Sequence, residues 1–204
     1  MERKLTFFSS DWHIGHKNSI IFDKRPFTDL DHMHRVLINN FNASVPKGSV
    51  TYFLGDMGLC SGTLLTEVIS QLNGTKVLIL GNHDKSSEAM YKIGFDVVVN
   101  SMTLYIANSR VELNHCPPRG VFRESTKGMQ GSDGTENWHG ERRHSRFSRE
   151  YDPTSFWLHG HTHKQKNERT LNRMFDVGVP ANAYKPVSIS QIESWIACYK
   201  RDHE

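Results

Sequence analysis

Cysteine is scarce in this 204-residue chain, with Cys60, Cys116 and Cys198 the three present. An odd, widely spaced set excludes a fully paired disulfide framework and favours a reducing compartment. Long apolar runs are also missing. No stretch approaches the roughly 18 residues that a membrane-spanning helix needs. The opening Met1-Glu2-Arg3-Lys4-Leu5-Thr6-Phe7-Phe8 turns polar at Ser9 and Ser10, too soon for the apolar region of a secretory leader. Net charge of one sign is small: 25 Lys and Arg against 22 Asp and Glu leave +3. That balance permits an anionic partner without demanding one. No internal repeat or low-complexity tract is visible. The expectation is a cytoplasmic, soluble protein with no membrane partner and an open oligomeric state.

What the chain does have is histidine, 12 residues against 22 acids. Histidine is the commonest metal ligand and the usual proton carrier near neutral pH. The apolar fraction of 37% and charged fraction of 23% describe a folded chain long enough for one domain spanning 1–204.

The first half alternates in period. Short apolar runs at Leu5–Ser9, Val50–Leu54 and Lys76–Leu80 predict strands. Leu30, Met33, His34, Leu37, Ile38 and Phe41 predict a helix, with Thr28 and Asp31 as its capping box. Leu64, Leu65, Val68, Ile69 and Leu72 predict another, and Ser86–Ile93 a shorter one before Gly94. Strand–helix alternation implies parallel pairing. In the second half, Asp96–Asn100, Met102–Ala107, Arg110–Asn114, Phe156–His159 and Arg173–Val177 predict strands with few helical periods between, hence a more antiparallel side. Ser188 and Gln191 predict the capped start of a final helix whose stripe is Ile189, Ile192, Ile196 and Tyr199. From about 117 to 153 the periodicity fails, which predicts a lid-like or disordered insertion.

Five patterns follow predicted strand ends: Asp11-Trp12-His13, Gly55-Asp56, Gly81-Asn82-His83-Asp84, His115 and Gly160-His161-Thr162-His163. Ligand sites in open α/β sheets lie at such ends. In an extended chain i and i+2 share a side, so Asp11 would face with His13, and His161 with His163. Carboxylate, amide and imidazole donors together suit Mn, Fe, Zn or Ni. Each pattern alone is equally at home in a turn or as a structural histidine. Their joint, ordered occurrence favours a metal site.

That ordered set, D-X-H, G-D, G-N-H-D/E, H and G-H-X-H, resembles the calcineurin-like metallophosphoesterases, across roughly Leu5 to His163. Phe175-Asp176-Val177-Gly178-Val179 and Lys185-Pro186-Val187-Ser188 resemble small bacterial and phage members. The resemblance implies a four-layer α/β/β/α sandwich with mixed sheets and two divalent metal ions, Mn favoured. It implies that Asp11, His13, Asp56 and His163 hold the first metal, and Asp56, Asn82, His115 and His161 the second. It also implies that His83 is catalytic and that a hydroxide bridging the metals attacks a phosphoester.

Around these residues, His16 and Asn18 are candidate substrate contacts or parts of a local turn, and Arg25 is a candidate phosphate contact or a solvated arginine. His159 is read as a core residue or one standing behind the ligands, Asp84 as a helix cap in preference to an orienter of His83, and Cys116 as pointing away from the site along its strand. His32, His34 and His203 are read as surface residues. Arg142, Arg143, Arg146 and Arg149 around Phe147 could contact phosphates and a base, or belong to a solvated lid. The substrate expected is a phosphodiester of a nucleotide, cyclic nucleotide or nucleic acid. The alternatives are a phosphomonoester metabolite and a catalytically silent metal-binding scaffold. The Met57-Gly58-Leu59-Cys60-Ser61 sequence after Asp56 departs from the element typical of protein phosphatases.

Overall fold

The computed structural model describes residues 5–119, 147, 149–165 and 173–203. Its first sheet runs in the order β4 (Val97–Val99), β3 (Thr75–Ile79), β2 (Val50–Phe53), β1 (Thr6–Ser9) and β9 (Val187–Ser188). β1 to β4 are mutually parallel, and β9 is antiparallel to β1. The second sheet runs β5 (Met102–Ile106), β6 (Ser109–Leu113), β7 (Phe156–His159) and β8 (Met174–Asp176). Both sheets mix parallel and antiparallel pairs.

Side-chain alternation sends neighbours of one strand into two cores. Phe7 and Leu78 face helices α2 (Leu30–Ser44), α3 (Gly62–Ser70) and α4 (Ser87–Ile93), packing with Met33, Leu37, Phe41, Leu65, Ile69 and Met90. Phe8, Val77 and Ile79 face the second sheet, meeting Val111, Leu113, Phe156 and Leu158. A strand covered on both faces needs an unbroken apolar run, which explains the Phe7-Phe8 and Val77-Leu78-Ile79 sequences. The final helix α5 (Ile189–His203) inserts Ile192 and Ile196 into the inter-sheet core. It opens on the expected capping box: Ser188 N donates to Gln191 Oε1 at 2.8 Å, and Gln191 N to Ser188 Oγ at 3.3 Å.

Four local expectations are corrected. The cap of α2 is Asp29, whose carboxylate accepts from His32 N at 2.8 Å, while Thr28 Oγ1 donates to that carboxylate. The strand near 96–100 is not part of an antiparallel half; it is the fourth parallel strand of the first sheet, reached through α4. In the second sheet only β5 and β6 are antiparallel, because a short turn joins them; β6, β7 and β8 are parallel, joined by long connections that return the chain to the same end. Finally, residues 17–22 form a short helix, α1 (Lys17–Phe22), so Asn18 lies in a helix where a local turn was one reading.

The ends of the 117–153 segment are laced together: Arg119 N donates to Arg149 O and Tyr151 N to Arg119 O. Arg149 also pairs with the buried Glu112 at 3.1 Å. Residues 120–146 and 148, including Arg142, Arg143 and Arg146, lie outside the described residues. No helix among the described residues is long and apolar enough to cross a membrane.

Candidate metal centre

Parallel strands bring their carboxyl ends to one edge. β1, β2 and β3 deliver residues 11–13, 56 and 82–84 there, and β6 and β7 deliver 115 and 161–163. Pairing continues past the strands, with Asp11 N donating to Gly55 O and His13 N to Asp56 O, both at 3.1 Å. The sheets are joined across the edge where His161 N donates to the Asp11 carboxylate at 3.0 Å. Glycine is required at two of these approaches. A side chain on Gly55 would meet the Gly81 backbone at 2.6 Å and His115 Nδ1 at 2.7 Å, and one on Gly160 would run into Ser10 Oγ and Asp11 Oδ2.

Asp11, His13, Asp56 and His163 each bring one ligand atom within 4.8 Å of the others. Asp11, His13 and Asp56 are at most 1% exposed. His13 Nε2 and His163 Nε2 face each other at 2.9 Å. Asp56 turns one oxygen to each half of the edge: Oδ2 lies 3.7 Å from His13 Nε2, and Oδ1 lies 3.4 Å from His115 Nε2. In that second half, His115 Nε2 is 2.9 Å from Asn82 Oδ1 and 3.3 Å from His161 Nδ1. His115 Nδ1 lies 2.7 Å from Leu54 O, an acceptor only, so Nδ1 carries a proton and Nε2 is the nitrogen turned into the site.

The expected face-sharing of i and i+2 is not how these residues converge. Asp11, His13, Asp56, His161 and His163 all have positive φ, at 59, 53, 55, 68 and 50°. The left-handed backbone turns each ligand loop inward. It also separates the histidines of Gly160-His161-Thr162-His163, sending His161 to His115 and His163 to His13. A left-handed non-glycine residue costs on the order of 1 kcal/mol, and such strain concentrates at functional sites.

Electrostatics follow the same division. Burial works to raise the Asp11 carboxyl, but His163, His115 and His13 overcome it and hold it far below the usual carboxylate range. Burial likewise opposes ionised Asp56, and His115 brings it down to about 2. Burial pushes His13 down to about 3, whereas the carboxylates of Asp11 and Asp23 outweigh burial at His163 and hold it up at about 10. Burial also disfavours charged His115, but Asp56 raises it to about 9. Two carboxylates and imidazole nitrogens focused on one point form a donor set that fits a divalent first-row cation. His13 Nδ1 is buried without a partner among the described residues, so the ring is not committed to another hydrogen bond.

His83 stands at the open side. Its side chain is 43% exposed, its Nε2 lies 3.9 Å from Asp56 Oδ2, and its backbone N donates to Asp56 Oδ1 at 2.9 Å. His16 precedes α1, its ring 5.5 Å from that of His13, and Asn18 is exposed on the first turn.

Other residues depart from expectation. Arg25 is not the solvated arginine of one reading. Its side chain is 0% exposed, paired with Asp23 at 2.9 Å, and it donates to Asp11 O and Trp12 O at 3.1 Å each. Asp84 is not a cap; Ser86 caps α4, while the Asp84 carboxylate accepts from Gly81 N, Asp56 N and Met57 N at 2.8, 3.0 and 2.9 Å. Burial and the Asp56 charge push the Asp84 carboxyl up to about 6. Cys116 does not point away: the chain bends after β6, and its Sγ lies within 4.8 Å of ligand atoms of His115 and His161. His34 is buried, not on the surface, and accepts from Gly15 N at 3.0 Å. His159 is 7% exposed, in keeping with a core role. Sequence reasoning missed Asp23, which holds His163 Nδ1 at 3.0 Å, and Asp176, which accepts from Thr162 Oγ1 and Gly178 N. The sequence carried a signal only for Asp176, in the familiar run around it.

No family model matches the chain. An uncharacterised protein of Methanocaldococcus jannaschii, MJ1445, is 36% identical over 98 residues, 47% of this chain. The match spans 56% of that curated relative's length. Among solved structures, the protein of unknown function AQ665 from Aquifex aeolicus superposes with a TM-score of 0.68 at 22% identity, covering 94% of this chain and 99% of its own. The two share a fold. YfcE, a phosphoesterase from E. coli, is more distant, with a TM-score of 0.43 at 14% identity over 87% of this chain and 79% of its own.

Proposed function

We propose that this chain is a metal-dependent phosphoesterase that hydrolyses a phosphodiester of a nucleotide, cyclic nucleotide or nucleic acid. The observation carrying this reading is the buried convergence of Asp11, His13, Asp56 and His163, built on left-handed backbone. The ordered motifs that supply these residues support it, and so does the second group of Asn82, His115 and His161 on the other side of Asp56. Two divalent cations, Mn favoured, would lower the pKa of a shared water and neutralise charge on the phosphoryl oxygens. Asp11, His13, Asp56 and His163 would hold one, and Asp56, Asn82, His115 and His161 the other.

The chain's own part is to fix those donors and manage one proton. Leu54 O holds the Nδ1 proton of His115, so Nε2 is aimed into the site and ligates once a cation displaces its own proton. His83, exposed beside Asp56, is placed to give a proton to a leaving oxygen at its Nε2. His16, its ring 5.5 Å from that of His13, is a candidate for a phosphate contact. The preference for a diester rests on the chain's mild positive charge and its arginine-rich insertion.

The test is hydrolysis of bis-p-nitrophenyl phosphate and p-nitrophenyl phosphate after chelation and Mn²⁺ addition, with Asp56→Asn as control. Metal-dependent cleavage of the diester, lost in the variant, is expected. Cleavage of the monoester alone redirects the reading to phosphorylated metabolites, and bound metal without turnover of either ester favours the silent scaffold.

A further inference from the structure

His163 is held from behind. Its Nδ1 lies 3.0 Å from Asp23 Oδ1, while Nε2 faces His13 Nε2 and lies 3.5 Å from Asp11 Oδ1. A carboxylate can only accept, so Asp23 fixes the proton on Nδ1 and leaves Nε2 directed into the site. Asp23 is itself clamped. Its Oδ2 accepts from Arg25 Nε at 3.1 Å and Nη2 at 2.9 Å, and Gln165 Nε2 donates to its backbone carbonyl at 2.6 Å. The remaining donors of Arg25 reach Asp11 O and Trp12 O. One bonded chain thus ties the loop after β7 to the loop after β1, through a residue that belongs to neither.

Asp23 is also the C-terminal cap of α1. The residue before that helix, His16, sits beside His13. α1 is therefore attached next to the donor set at both ends, while Ile21 and Phe22 are 63% and 73% exposed along it. We propose that Asp23 is a positioning residue of the cation site, orienting His163 for ligation and anchoring the α1 rim to it. The proposal rests on reading residues 11, 13, 56 and 163 as cation ligands. It adds a residue that no motif contains and gives Arg25 the role of brace.

The test uses the full chain and Mn²⁺ alone, titrated calorimetrically after chelation. Asp23→Ala should weaken Mn²⁺ affinity by about 10- to 100-fold, the usual effect of losing an outer partner of a ligating histidine. Asp23→Asn, which keeps an acceptor oxygen in the same shape, should fall between and carries the comparison if the alanine variant does not fold. A purely structural role would leave a second reading unmoved: in nitrogen-15 spectra of protein loaded with diamagnetic Zn²⁺, His163 should ligate through Nε2 as a single Nδ1–H tautomer in the wild type and as a mixture in Asp23→Ala. Unchanged affinity and an unchanged tautomer in Asp23→Ala, with the wild type binding Mn²⁺, overturn the role of Asp23 and leave the cation site standing. A wild type that binds no Mn²⁺ overturns both.

Discussion

His13 Nε2 and His163 Nε2 lie 2.9 Å apart although 150 residues separate them in sequence. Each nitrogen also approaches a carboxylate, Asp56 for His13 and Asp11 for His163. At that distance one nitrogen can donate to the other, and the carboxylates on either side favour positive charge at the pair. In the cation-free chain a proton on His163 can serve. A divalent cation serves better, because all four donors can address it at once.

The first prediction follows from that geometry. A ligand that binds only the folded state stabilises it by RT ln(1 + [L]/Kd), about 2.7 kcal/mol at a hundredfold excess over Kd. For a domain near this size, 1 kcal/mol moves Tm by about 2–4 °C. Mn²⁺ added after chelation should therefore raise Tm by roughly 5–10 °C in a calorimetric scan. Asp56→Asn should lose most of that rise, since Asp56 addresses both groups of donors. Equal Tm values with chelator and with Mn²⁺ would count against a cation site.

The second prediction concerns Asp84. Three backbone N–H groups converge on its carboxylate, two from residues 56 and 57 and one from Gly81. Removing it strands three buried donors, each costing about 1–3 kcal/mol. Asp84→Ala should lose several times the roughly 1 kcal/mol expected for Ser86→Ala, which removes only the α4 cap. Urea midpoints of the two variants measure the contrast. Similar losses would return Asp84 to the capping role that its position suggested.

Arg25 separates two roles by two observables. A substrate contact, when removed, raises KM and leaves stability alone. A buried arginine that braces Asp23 and two backbone carbonyls, when removed, takes the arginine donors from Asp23 Oδ2, Asp11 O and Trp12 O, each loss costing about 1–3 kcal/mol. Arg25→Ala should therefore show a large loss of stability by urea unfolding. Arg25→Lys should recover little of it, because an ammonium cannot reproduce the forked contacts to Asp23.

These residues mark the boundary of what local sequence discloses. Asp11, His13, Asp56, Asn82, His115, His161 and His163 were legible because glycines and apolar runs announce where strands stop, and donors cluster just beyond. Strand existence was legible for the same reason. Partners were not. Periodicity says that residues near 97–99 form a strand, but parallel pairing with β3 depends on the crossover through α4. Strand parity placed Cys116 on the far side, and a bend after β6 reversed it. Arg25 and Asp23 are ordinary surface residue types, and only the tertiary approach of Asp11, Trp12 and His163 explains their burial. The Thr28–Asp31 pattern matched a capping box, yet Asp29, one residue on, was better placed to accept from His32 N.

The last prediction turns on His34, which α2 holds under the loop between His13 and His16. It is 8% exposed, and its Nε2 accepts from Gly15 N at 3.0 Å, so the ring must be neutral at that nitrogen. Burial pushes its pKa below the ordinary 6.5, with the Asp31 carboxylate on its own helix opposing. Because the folded pKa is depressed, the unfolded chain takes up this proton first. The His34 contribution is therefore complete above about pH 6.5 and is lost progressively as pH falls toward the folded value. A glutamine can still accept from Gly15 through Oε1 but does not titrate. His34→Gln should accordingly resemble the wild type in urea midpoint at pH 7.5 and exceed it in relative terms at pH 5.5, both measured with chelator present. Other histidines contribute equally to both proteins and cancel in the difference. Parallel stability curves across that range would show that the Gly15 contact does not depend on the charge of His34. Divergence below pH 6.5 would identify His34 as the acid-sensitive support of the loop that carries His13.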